Sequence, residues 1–155
     1  MKFSTREDIG LSIEEVFSVL TDFDRLQRAA MRRGAVVTRV DTLAAPGPGM
    51  AWAAQFTFRG KPRWVHTELT GFRPPETLVV QSTISGLTSV GTVDLVQLSP
   101  AQTRIAVAVD LRPQTVPARL FLQTLRMAKG RMSDRFTSGV ARFARDLEAG
   151  RFHDL

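Results

Sequence analysis

Met50-Ala51-Trp52-Ala53-Ala54-Gln55-Phe56-Thr57-Phe58-Arg59-Gly60-Lys61-Pro62-Arg63-Trp64-Val65-His66-Thr67-Glu68-Leu69 is the stretch whose pattern decides the fold. Apolar and polar residues alternate on both sides of Gly60-Lys61, the period of extended chain with one buried face. Gly60-Lys61 reads as a two-residue hairpin loop with glycine in first position. Pairing Arg59 with Pro62 then sets Phe58 against Arg63, Phe56 against Val65, Ala54 against Thr67 and Trp52 against Leu69. One face collects Met50, Trp52, Ala54, Phe56, Phe58, Val65, Thr67 and Leu69. The other collects Gln55, Thr57, Arg59, Trp64, His66, Glu68 and Thr70. The first must be the inner face, because the second carries charge that apolar surroundings would penalise.

The same arithmetic extends toward the C-terminus. Arg73-Pro74-Pro75-Glu76 turns the chain, and a Ser85-Gly86 loop places Leu78, Val80, Ser82 and Ile84 on one face with Leu87, Ser89, Gly91 and Val93. A loop from Leu98 to Gln102 next sets Leu95 against Ile105, Val93 against Val107 and Gly91 against Val109. Beyond Arg112-Pro113, Phe121, Leu125, Ala128, Met132, Phe136, Val140, Phe143 and Leu147 recur every three or four residues. That stripe predicts one long helix from about Val116 to Ala149, stopped at Gly150.

Toward the N-terminus, Ala45-Pro46-Gly47-Pro48-Gly49 is a loop that separates the hairpin from a strand over Ala35 to Thr42. Ser12-Ile13-Glu14-Glu15 is a capping box, so a short helix runs from there to Leu20. Asp22 caps a second short helix ending near Arg32, and Lys2 to Ile9 alternates as a first strand. The expected order is strand, two short helices, six strands and a long helix. It is a single α+β domain over residues 1–155, with the helix held in a curved antiparallel sheet.

Composition narrows the chemistry. A chain of 155 residues with 43% hydrophobic and 23% charged residues can bury a core without staples. It has no cysteine, and its two histidines, His66 and His153, have no partner at ligand spacing, so no metal site is expected. Pro46 and Pro48 lack the N–H donors that a phosphate cradle needs, so no nucleotide cofactor is expected either. The net charge of +6 comes from 18 Arg and 3 Lys scattered among acids, without an aromatic-basic stacking surface. Nucleic acid is therefore not an expected partner, while weak association with anionic surfaces stays open. The N-terminus lacks the apolar core of a signal peptide, and no stretch reaches the roughly 20 apolar residues of a membrane span. A cytoplasmic location and no integral membrane association are the expectations, and a homodimer stays open.

Two local motifs carry a likeness to a known group. Ile9-Gly10-Leu11-Ser12-Ile13-Glu14-Glu15-Val16-Phe17 running into Leu20-Thr21-Asp22 is similar to the opening of the bacterial polyketide cyclase/dehydrase and lipid-transport group. Gly71-Phe72-Arg73-Pro74-Pro75-Glu76-Thr77-Leu78 is similar to its turn between strands. The order of elements likewise resembles the START-like, birch-pollen-allergen-like helix-grip superfamily across the whole chain. These are scaffold motifs, and function must be argued from a site. The resemblance implies a cavity between sheet and long helix, suited to lipids, polyketides or isoprenoid-like molecules.

The expected lining is Trp52, Ala54, Phe56, Phe58, Val65, Thr67 and Leu69 from the hairpin, Val80, Ser82 and Val93 from the following strands, and Leu125, Met132 and Phe136 from the helix. Access is expected near Phe23 to Met31 and Ala45 to Gly49. Glu7 shares parity with Phe3, Thr5 and Ile9, which aims its carboxyl inward as the one candidate general acid or base. Three readings follow. The first is a binder or carrier of an apolar or amphipathic ligand. The second is a small cyclase or dehydratase using Glu7, with Arg63, Thr67 or Ser82 orienting a carbonyl. The third is a module acting on a partner protein through an exposed patch around Trp64. His66 and Glu68 fall on the outer face and read as a surface pair. Arg63 has the inner parity but lies at a hairpin end, where its guanidinium can escape to solvent.

Overall fold

The computed structural model describes residues 1–151. His153 lies outside them. The elements are β1 Lys2–Ile9, α1 Ile13–Leu20, α2 Phe23–Arg32, β2 Val36–Arg39, β3 Ala51–Phe58, β4 Lys61–Arg73, β5 Thr77–Ile84, β6 Leu87–Ser99, β7 Gln102–Pro113, α3 Val116–Arg126 and α4 Lys129–Glu148. The seven strands form one curved antiparallel sheet in the order β1-β7-β6-β5-β4-β3-β2. The expected helix-grip architecture is what the chain adopts.

Both short helices start where their caps predict. Ser12 Oγ accepts from the Glu15 N–H at 3.2 Å, and Asp22 Oδ1 accepts from the Arg25 N–H at 3.2 Å. The C-terminal stretch departs from one continuous helix. The Met127 and Ala128 N–H groups bond back to the Thr124 and Leu125 carbonyls, a tightened turn that ends α3 before α4 begins. Gly130, a poor helix former immediately beyond the break, is the local signal that the apolar stripe overrode. α3 has its own cap, the Thr115 hydroxyl accepting from the Ala118 N–H at 3.2 Å.

The central hairpin turns one residue earlier than expected. Arg59 (φ 53°) and Gly60 (φ 73°) both sit in the left-handed region, as a type I′ turn requires. Phe58 therefore pairs Lys61, Phe56 pairs Arg63, Ala54 pairs Val65 and Trp52 pairs Thr67. Every partner moves by two, so each side chain keeps its face. The β5–β6 and β6–β7 registers are as expected, with Ile84 on Leu87, Leu78 on Val93 and Leu95 on Ile105.

One irregularity matters to the core. Register slips between Leu69 and Gly71, so Leu69 pairs Val80 while Phe72 pairs Leu78. This bulge lets Leu69 and Phe72 both point inward although they are three residues apart. Phe72 then meets Phe17 of α1 with ring centroids 5.7 Å apart. β2 is shorter than expected, because the chain beyond Arg39 is gathered around Asp41. That carboxylate accepts from the Arg39 guanidinium at 2.8 and 2.9 Å, and from the Leu43 and Ala51 N–H groups at 2.9 Å each.

The core lies toward one end of the sheet. Ile9, Val16, Met50, Leu69 and Ile105 are each at most 2% exposed, and Leu78, Leu95, Ala144 and Leu147 complete the cluster. The end of α4 is fixed there by Glu148, whose carboxylate accepts from the Gly10 N–H.

Candidate ligand-binding site

Around and beyond that cluster, against which Trp52, Val80 and Val93 pack, the inner face is only half covered. Trp52, Ala54, Val65, Thr67, Val80, Ser82 and Val93 are all half-buried, although their parity turns them toward the helices. The reason is the placement of α4, whose main sheet partner is the edge strand β1 rather than β3 to β6. Phe136 of α4 meets Phe3 of β1, ring centroids 6.1 Å apart, instead of reaching Trp52 or Phe56. Leu125 and Met132 are likewise half-buried. On α3 the buried residues are Ala118 and Leu122, whereas Phe121 is 47% exposed. Phe121 falls in line with the apolar stripe of α4 only along one continuous helix, and the break at Met127 destroys that alignment.

The groove deepens at the end opposite the core. There, a cavity of about 380 Å³ lies among Phe56, Phe58, Arg59, Arg63, Ile84, Ser85, Leu87, Pro117, Ala118 and Phe121. This falls within the roughly 300–1,000 Å³ usual for small-molecule sites. Of the expected lining, Phe56 and Phe58 wall this cavity, and Phe58 is 50% exposed at its rim. Leu69 departs from expectation, because it is fully buried in the core and reaches no open space. The Phe23 ring of α2 packs on Trp52 at 5.4 Å, so the short helices cover one end of the groove rather than opening it. Ile84, Leu87, Pro117 and Ala118 were not expected in the lining. The Ser85-Gly86 turn gave the first two their place, but nothing in the sequence located α3 over it.

The polar groups on the inner face are few. Thr67 Oγ1 and Ser82 Oγ, cross-strand neighbours, lie 2.9 Å apart and satisfy one another. Arg63 shares their face, opposite Phe56, and its Nε is buried with no hydrogen-bond partner among the described residues. Glu7 does take the inner parity, half-buried and paired with Ile105. It stands on the edge strand beside Arg6, Asp8 and Arg104, around a separate shallow depression. β1 and β4 are four strand spacings apart, about 19 Å along the sheet. Glu7 and Arg63 therefore do not form one constellation.

The carboxylates with shifted proton affinity all lie outside the groove. Asp41 is held well below the usual carboxylate range by its bond to Arg39, and then by the Ala51 and Leu43 N–H groups. Asp8 and Asp110 are lowered by their hydrogen bonds to Arg104 and Arg112. His66 and Glu68 are exposed on the outer face, and Trp64 beside them is 64% exposed. No group of three or more potential metal-ligating side chains occurs among the described residues. No helix among them is long and apolar enough to cross a membrane.

Comparison with known proteins agrees with this architecture. No curated protein sequence matches the chain. Among solved structures, truncated norcoclaurine synthase from Thalictrum flavum superposes with a TM-score of 0.66 at 11% identity, covering 96% of this chain and 90% of that one. The Zhui aromatase/cyclase from Streptomyces sp. R1128 gives 0.63 at 12% identity, over 94% of each chain. The protein TTHA0849 from Thermus thermophilus gives 0.64 at 16% identity, over 97% of this chain and 99% of that one. At such identities the likeness establishes the fold alone. The sequence itself matches the family described as polyketide cyclase / dehydrase and lipid transport over residues 1–148, and the chain belongs to that family.

Proposed function

We propose that this protein binds a small apolar or amphipathic ligand in the groove between the sheet and its C-terminal helices. The observation that carries the reading is the half-covered inner face. Apolar side chains from β3 to β6 turn toward the helices, yet α4 stands over β1 and leaves them partly open. A protein that needed only a core would gain roughly 25 cal/mol for each further Å² of that surface it closed. Leaving it open is intelligible if a ligand supplies the missing contacts.

The carrier reading is favoured over the enzyme reading by the separation of groups. The inward carboxylate, Glu7, lies four strands from Arg63 and away from the Thr67–Ser82 pair. General acid–base work requires hydrogen-bond reach to the reacting atom, directly or through one water. Reading Trp64 as a partner contact rests only on its exposure on the outer face, with Val36 the nearest comparable residue across Gln55.

The test is native mass spectrometry of the purified protein, with thermal shift against fatty acids, flavonoids and quinones, on wild type and Ala54→Trp. A bound apolar molecule, or stabilisation by a subset of ligands that the filled variant loses, is the expected result. If no apolar ligand shifts the wild type and none travels with it, the reading fails.

A further inference from the structure

The deep end of the groove contains an unmet electrostatic demand. Arg63 projects from β4 on the inner face, and its Nε is sealed from solvent without a hydrogen-bond partner among the described residues. A guanidinium remains charged at any physiological pH, and its donors are costly to leave unpaired once out of water. The escape to solvent expected of a hairpin-end side chain does not occur at this nitrogen. The earlier turn at Arg59-Gly60 instead sets Arg63 one residue deeper and opposite Phe56.

Among the described residues, nothing that lines the cavity answers that charge. Its wall contains no carboxylate: besides Arg63 and Arg59 it is Ser85 and apolar surface. The guanidinium of Arg59 stands over the Phe58 ring, 5.3 Å from its centroid, so the one other charge has the same sign. The first turn of α3, whose Pro117 and Ala118 face the cavity, has no acidic residue either.

We propose that Arg63 is the polar anchor of this cavity, and that the ligand it selects is a carboxylic acid on an apolar body. This rests on the ligand-binding reading above and adds the head group. Parallel N–H donors of a guanidinium match the two oxygens of a carboxylate, and the resulting charge-assisted bonds are about twice as strong as neutral ones. A single negative charge balances Arg63. The apolar body then lies along the half-open face toward Val65 and Val80.

The experiment is calorimetric titration at pH 8 with two matched pairs of probes: decanoate against decanol, and naphthoate against naphthol. The proteins are wild type, Arg63→Met, and Arg126→Met as a control for loss of one exposed positive charge outside the cavity. Wild type should bind the better-fitting acid about 10- to 100-fold tighter than its alcohol. Arg63→Met should bring the pair within about threefold by weakening only the acid, and Arg126→Met should keep the preference.

The linear and fused-ring arms report which body the groove takes. Equal affinity of wild type for acid and alcohol would overturn the anchor while leaving the groove intact. Binding of none of the four probes would remove both. Arg63→Met should also melt no lower than wild type without ligand, because it deletes an unpaired donor and keeps an apolar stem. A variant that fails to fold would show the guanidinium already serving the fold, which refutes the proposal.

Discussion

Gly91 offers the most direct test of whether the groove is open. It lies mid-strand in β6 on the inner face, between Val80 of β5 and Val109 of β7. A Cβ placed there would meet only the Val80 carbonyl oxygen, at 3.8 Å, an ordinary contact. Its backbone is outside the left-handed region, so an L side chain imposes no strain. Gly91→Ala should therefore stabilise the protein by about 0.4–1 kcal/mol, through the freedom removed from the unfolded chain. Gly91→Leu extends the side chain over Val80, Val93 and Val109. In an open groove, partial burial of the added carbons contributes on the order of 1 kcal/mol, so the variant should be neutral or up to about 2 kcal/mol more stable. In a filled core the same change would cost about 1–3 kcal/mol by overpacking. Urea titration followed by the fluorescence of Trp52 and Trp64 separates these outcomes, and ligand binding is measured on the same samples. A loss of more than about 1 kcal/mol in Gly91→Leu would refute the open groove.

Four further outcomes are expected. Gly71→Ala should cost about 1–3 kcal/mol in urea unfolding, because its Cβ would lie 2.8 Å from Val79 Cγ2 and 2.9 Å from Val79 Cβ. Adding Val79→Ala should recover only part of that loss, since the Cβ contact stays. Phe136→Ala should cost about 2 kcal/mol, less than the roughly 3–5 kcal/mol of a fully packed phenylalanine, because the ring is half-buried on Phe3; a larger value would mean α4 covers more than β1. Asp8, Asp41 and Asp110 have native proton affinities below those of the unfolded chain. Their stabilisation is complete above the unfolded value of about 3.9 and is lost as pH falls through the lowered native values. Urea midpoints should hence be level near neutrality and fall in acid, with Asp41→Asn lowering the neutral plateau and flattening the acid limb. Glu7→Gln should leave the affinity for any groove ligand unchanged in titration, and a marked loss would return that carboxylate to the site.

The fold was legible because its strongest signals tolerate local error. The central hairpin shows this well. Its turn is Arg59-Gly60 rather than Gly60-Lys61, and every cross-strand partner moved, yet Phe56, Val65 and Thr67 stayed on the inner face. A shift of two preserves parity, and parity decides which face a side chain takes. The Ser12 and Asp22 caps were equally readable, since a side chain three residues from its target N–H acts within one turn. The bulge at Thr70 was barely legible. Gly71 inside the strand was its one local sign, and the register slip brings that glycine so close to Val79 that a Cβ would lie 2.8 Å from its Cγ2.

The site was less legible than the fold because a groove is defined by where an element does not go. The stripe from Phe121 to Leu147 says that the C-terminal segment buries one face, but leaves open which strand that face meets. With the helix broken at Met127, α3 and α4 make separate choices: Leu122 is buried at the cavity end, and Phe136 settles on Phe3 at the sheet edge. That second choice exposes the middle of the sheet. It also separates Glu7 from Arg63, since α4 over β1 stands with the carboxylate while the cavity forms under α3. Inward parity was thus enough to nominate both ionisable residues, and only tertiary placement distinguishes them. Glu7 stands at an edge beside Arg6 and Arg104, whereas the Arg63 guanidinium keeps a sealed Nε, unpaired among the described residues, on the wall of the cavity under α3.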